Sequence, residues 1–145
     1  MVNDFLDWIT ISLHEEFGDD YKMYVEEVEQ NLCKPCFVVS TLNPMIEAKS
    51  PVKYHRVIPI VIYYFTNKED TVDAKKDSLA IAERVWKRLE YLSNGEVTLR
   101  GDSIEWELVE GVLQFFITYK FDVLRTNEQI MMGDGQLNGV PIPNN

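Results

Sequence analysis

Val112-Leu-Gln-Phe-Phe-Ile-Thr-Tyr-Lys-Phe-Asp-Val-Leu124 separates by parity into two chemistries. Leu113, Phe115, Ile117, Tyr119, Phe121 and Val123 share one parity, and Gln114, Thr118, Lys120 and Asp122 share the other, with Phe116 the exception. Successive strand side chains point to opposite faces, so the pattern predicts a long strand with one face in a core and one in water. At ~3.3 Å per residue it reaches roughly 40 Å, against a usual strand of about 5–6 residues. A bulge, or an early end at Thr118 or Lys120, is the alternative. Such length suits a sheet that extends past its own domain.

Upstream of this strand, Glu110-Gly111 reads as a turn, preceded by a strand over Ile104–Val109, a Gly101-Asp102 turn and a strand over Glu96–Arg100. Val57–Phe65 is apolar on both parities, as a strand buried on two sides or lying against a partner would be, and Pro59 marks an edge position or a bulge within it because proline cannot donate to a ladder. Pro35–Leu42 reads as a strand, Tyr21–Val28 as a strand or a short helix, and 43–56 as a loop or hairpin end. Val2, Phe5, Leu6, Ile9, Leu13 and Phe17 fall on one helical face, with Asn3 as the N-cap and Gly18 as the stop. Leu79, Ala82, Val85, Trp86, Leu89 and Leu92 form a second helical face that stops at Asn94-Gly95. This order predicts an α+β fold: a single-domain sandwich of a mostly antiparallel sheet with two helices on one face. The domain is placed at residues 1–125. Residues 126–145, rich in Gly, Asn and Pro, are a C-terminal arm, either flexible or ordered on a neighbouring subunit.

A formal net charge of −10 argues against general nucleic-acid binding, which needs clustered Lys and Arg. Asp4 and Asp7 interrupt the first apolar residues, so no signal peptide is read, and no apolar run approaches the roughly 20 residues that span a bilayer. The expectation is a soluble cytoplasmic protein without membrane contact. No phosphate loop, nucleophile elbow or helical His pair is present, so the chain reads as a non-enzyme with no catalytic residues, no cofactor and no metal.

Cys33-Lys-Pro-Cys36 is the sharpest chemical motif. Redox work needs the first thiol at a helix N-terminus, and a strand-like run follows instead; zinc needs two more ligands, and His14 and His55 have no ligand spacing to the pair. Cys36 is therefore expected buried and Cys33 exposed. A small redox or metal protein built on this pair is one alternative. A ligand-binding module lined by Trp86 and Trp106 is another, although those positions also suit a core.

Several segments together carry a family resemblance. They are the N-terminal helix, Tyr24-Val-Glu-Glu-Val-Glu-Gln30 running into Pro35-Cys36-Phe37-Val38, Tyr63-Tyr64-Phe65 before the second helix, and Arg100-Gly101 followed by Val109-Glu110-Gly111-Val112-Leu113. Over about residues 2 to 125 the chain resembles the tail terminator (tail completion, or minor tail) proteins of tailed bacteriophages, most closely the small type of prophages and phage tail-like particles of Gram-positive bacteria. The resemblance implies an α+β structural virion protein. Such a protein forms a hexameric ring on the last ring of tail tube protein, stops tube polymerisation and presents the surface for head completion (connector) proteins. In contractile tails it also meets the tail sheath. It implies a homo-oligomer in the tail that can be a monomer in solution, made in the host cytoplasm and located at the neck end of the tail. The candidate subunit or partner contacts are Pro44, Lys53, Tyr54, Arg56 and Pro59, with Ile130, Met131, Met132 and Leu137 of the arm.

Overall fold

The computed structural model describes residues 2–26, 32–93, 97–125 and 130–132. In chain order the elements are α1 (Val2–Phe17), β1 (Lys22–Val25), β2 (Cys36–Thr41), β3 (Met45–Ala48), β4 (Lys53–Phe65), α2 (Thr71–Leu89), β5 (Tyr91–Ser93), β6 (Thr98–Val109), β7 (Val112–Arg125) and β8 (Ile130–Met132). The strands form one eight-stranded sheet in the order β1-β2-β4-β7-β6-β5, with β3 also paired to β4 and β8 to β7. All pairings are antiparallel except β1 with β2. This is the expected α+β class.

The parity of β7 is realised along its length. Leu113, Phe115, Ile117, Tyr119, Phe121 and Val123 are all buried, and opposite them β4 buries Ile58, Ile60, Ile62 and Tyr64. Onto this face pack Phe5, Leu6, Ile9, Leu13 and Phe17 of α1 and Ile81, Ala82, Val85 and Leu89 of α2. Burying one such aliphatic or aromatic side chain contributes about 1.5–3 kcal/mol, so the shared face is what holds the two layers together. Phe5 is placed edge-on to Tyr119, with ring centroids 5.0 Å apart, and stacked on Phe121 at 5.9 Å. Polar ties fix the helices laterally. Arg84 bonds Glu16, Arg88 bonds Glu15 and the Ser12 carbonyl, and the Tyr64 and Thr66 hydroxyls both donate to Asp77 at 2.7 Å.

Several local expectations are corrected. Helix α1 already includes Asn3, so Asn3 is not its cap, whereas Gly18 does end it, with φ +83° and its N–H on the His14 carbonyl at 2.8 Å. Helix α2 starts at an Asp70 cap whose carboxylate accepts from the Val72 and Asp73 N–H groups, and its buried face runs through Ser78 and Ile81 rather than Leu79, which is exposed. The helix stops at Leu89, before the expected Asn94-Gly95, and Leu92 reaches the core from β5; Asn94 and Gly95 lie outside the described residues. Trp86 is half-buried at the rim of the core.

The expected Gly101-Asp102 turn is instead a bulge inside the continuous strand β6, with the register shifting between Asp102 and Glu105 and Ser103 at φ +52°. Glycine is required at 101 by close approach: a Cβ there would lie 2.2 Å from Ile117 Cδ1. Residues 43–56 contain strand β3, which forms a hairpin with the start of β4. Pro59 is in an interior strand, not at an edge. It sits between the last β2 pair, Thr41 with Ile60, and the first β3 pair, Met45 with Val57. Its carbonyl accepts from the Leu42 N–H at 2.9 Å on that side, so the N–H it lacks would point into the gap and no bond to β7 is lost.

Candidate functional site

Strands β4 and β7 pair without interruption from Lys53 with Leu124 to Tyr64 with Leu113. Their other neighbours are shorter. Strand β2 reaches only Ile60 on β4, and β6 reaches only Tyr119 on β7. The remaining Lys53–Ile58 and Tyr119–Arg125 segments extend roughly 20 Å past those neighbours as a ladder bordered by β3 on one side and β8 on the other. In the sequence this overhang was visible as the excess length of the Val112–Leu124 alternation.

The faces of the ladder differ in chemistry because register places like with like. On one face His55 lies opposite Asp122 and Glu47, with His55 Nδ1 2.9 Å from Asp122 Oδ1 and Lys53 Nζ 3.6 Å from Asp122 Oδ2. The His55 hydrogen bond, helped by the Lys53 charge, holds the Asp122 carboxyl below the usual range. On the other face Arg56 lies opposite Ile46 and Phe121, both apolar. Arg56 is only 8% exposed, and its Nε has no hydrogen-bond partner among the described residues. Burial lowers its pKa, with no carboxylate contributing among the described residues.

The candidate contacts are thus brought together on this ladder to differing degrees. Pro44 is exposed just before β3; Lys53 is exposed and Tyr54 half-buried at the start of β4; Arg56 is buried. Pro59 is half-buried inside the sheet, flanked on both sides. The backbone of Ile130, Met131 and Met132 pairs with Arg125, Leu124 and Val123 of its own chain, while Leu137 lies outside the described residues. Sequence reading missed Met45 and Ile46, which are 54% and 51% exposed on β3. Their only signal was two adjacent apolar residues inside a segment otherwise polar and proline-rich.

Two further surfaces accompany the ladder. On the sheet face away from the helices, Val38 and Val61 are buried among half-buried Tyr24, Tyr63 and Phe116, which explains why β4 is apolar on both parities and why Phe116 breaks the β7 alternation. At the opposite end from the overhang, a cleft of about 490 Å³ is lined by Lys34, Phe65, Lys68, Lys75, Leu108 and Val112, among others.

The chemistry of reactive groups is sparse. Cys33 is exposed, and Cys36 is buried with its thiol pushed up by that burial, the direction opposite to thiolate activation. Among the described residues no group of three or more His, Cys, Asp or Glu could hold a metal ion. Trp106 stacks on Phe115 with ring centroids 5.7 Å apart, so it serves the core. No helix among the described residues is long and apolar enough to cross a membrane.

Against known families, the model described as "Phage tail terminator protein" matches residues 4–131, from the first helix through the overhanging ladder. The chain belongs to the phage tail terminator family. That assigns it a structural role in a bacteriophage tail and implies contacts with other tail components. Comparison with curated proteins gives no match. The family match spans both helices and every strand up to Met131, so the fold and the assignment rest on the same residues.

Proposed function

We propose that the chain closes the tail tube as a ring, stops tube polymerisation and offers the surface to which the head is joined. The observation that carries this reading is the match of residues 4–131 to tail terminators, on a chain whose longest strand pair overhangs its own sheet. A ring needs each subunit to present two different patches, since a head-to-tail contact that repeats must be heterologous. The overhang has two such borders, β3 and β8.

In this reading the protein is a hexamer in the tail and a monomer when free in the host cytoplasm. One rim touches tail tube protein, the other touches head completion protein, and in a contractile tail the ring also meets the sheath. Pro44, Lys53, Tyr54 and Arg56 belong to the contact surface, together with Ile130, Met131, Met132 and Leu137. Residues 1–125 act as the domain and 126–145 as the arm, a division supported by the pairing of Ile130–Met132 with the end of β7. Pro59, half-buried at the junction of β2 and β3 along β4, is kept with these residues as a candidate contact.

The test is direct. Purified chain is added to tail tubes growing in vitro, and the tubes are imaged by electron microscopy. A ring at one end of each tube, with growth arrested there, supports the proposal; unhindered growth with bare ends rejects it.

A further inference from the structure

Among the described residues Arg56 presents a charge without a counter-charge. It is 92% buried by its 8% exposure, its cross-strand neighbours Ile46 and Phe121 offer no acceptor, and its Nε is unpaired among the described residues. A buried cation is retained at such a cost only if something pairs it in the working state of the protein. Beside it runs β3, whose four residues are all exposed and whose outer edge has no paired strand among the described residues. An exposed strand edge carrying Met45 and Ile46 accepts an added strand through backbone hydrogen bonds.

We propose that the β3 border of the ladder receives a second copy of this chain, and that a carboxylate of that copy pairs the Arg56 guanidinium. The occupant is argued from charge and geometry. The chain has 24 Asp and Glu against 14 Lys and Arg, so a second copy brings carboxylates in excess to a site that lacks one. The ladder's borders are different strands, β3 and β8, so a contact from the β3 border of one copy to another border of the next repeats head to tail. This inference rests on the ring reading above and adds which edge joins the copies and which residue needs the partner.

The experiment uses the full chain and has two arms. In the first, p-benzoylphenylalanine replaces Ile46 or, on the other face of the same strand, Met45, and the protein is irradiated after assembly on tail ends. Crosslinks between two copies of the chain are expected; crosslinks to tail tube protein, or within one chain to its own C-terminal segment, overturn the proposal. In the second, Arg56→Met is compared with wild type. Removing a buried unpaired charge should raise the Tm of the monomer, while occupancy of tail ends should need about 30-fold more protein or greater, the loss typical of a truncated buried charge pair. Arg56→Lys should fall between the two. A lower monomer Tm for Arg56→Met would mean the guanidinium is already satisfied within the chain, and unchanged occupancy would mean no partner reaches it; either overturns the inference. Wild-type chain that never occupies tail ends overturns the ring reading itself. Wild type that caps tails while the crosslinks go elsewhere overturns only this inference.

Discussion

Phe115 sits at the centre of the molecule, fully buried between Ile62 on β4 and Trp106 on β6, so truncating it tests the face assignment of the sheet most sharply. Phe115→Ala should cost about 3–5 kcal/mol in a urea titration, and a loss below about 1 kcal/mol would show that this face is not the core. Ser78 makes the opposite case. Its hydroxyl is buried on α2 without a partner among the described residues, so Ser78→Ala removes an unsatisfied group and improves helix propensity. A gain of about 1 kcal/mol is expected, and a loss would mean that the hydroxyl is hydrogen-bonded after all. The parity of the β7 residues was legible because strand period and burial coincide there. Arg56 was legible only as one charged residue in a polar stretch, since its burial depends on Ile46 of β3 and Phe121 of β7 being brought beside it.

At the scale of elements, the hairpin between β6 and β7 is closed by Val109 and Val112, with Glu110 at φ +51° and Gly111 at φ +83°. Positive φ at both loop positions is what the tight hairpin twist requires, and Glu is a poor choice for it. Glu110→Asn should raise stability by about 0.5–1 kcal/mol; thermal unfolding that moves down instead would argue against the left-handed geometry at 110. The overhang contributes a pH dependence of known sign. Asp122 has its folded pKa lowered by the His55 hydrogen bond first and the Lys53 charge next, so its stabilisation is present above the ordinary carboxylate value of 3.8 and is lost as pH falls through the folded value. Because the Asp122 side chain is 41% exposed, the effect should be small, under about 1 kcal/mol. Wild type should be slightly more stable than Asp122→Asn at neutral pH, and the difference should shrink as pH falls below the ordinary carboxylate value; a difference that grows on acidification would contradict the pairing. The existence of both helices and the length of β7 were readable from period, whereas β6 was read as two strands, β4 from Val57 only, and α2 as far as Leu92. Strand β3, the bulge between Asp102 and Glu105 and the close approach at Gly101 were not readable, because each depends on a tertiary neighbour: β3 on the first residues of β4, the bulge on its register with β7, and Gly101 on Ile117 lying where a Cβ would be.

At the scale of the whole molecule, the class of function was readable because the chain combines family-like segments with an over-long strand and an absence of catalytic motifs in the sequence. What could not be read was which strands border the overhang, since that follows from register and not from composition. Deleting residues 127–145 removes β8 along with the rest of the arm, and is expected to leave a folded monomer by circular dichroism while weakening attachment to tail ends. A truncated chain that caps tails as well as wild type would remove the arm from the contact surface and leave the rest standing. The central claim is control of the tail, and the measurement that reaches it is the length distribution of tails assembled with and without this protein, scored by electron microscopy for attached heads. With the protein, tails of one length joined to heads are predicted; without it, tails of uncontrolled length and no heads. Tails of normal length joined to heads in its absence would contradict the account.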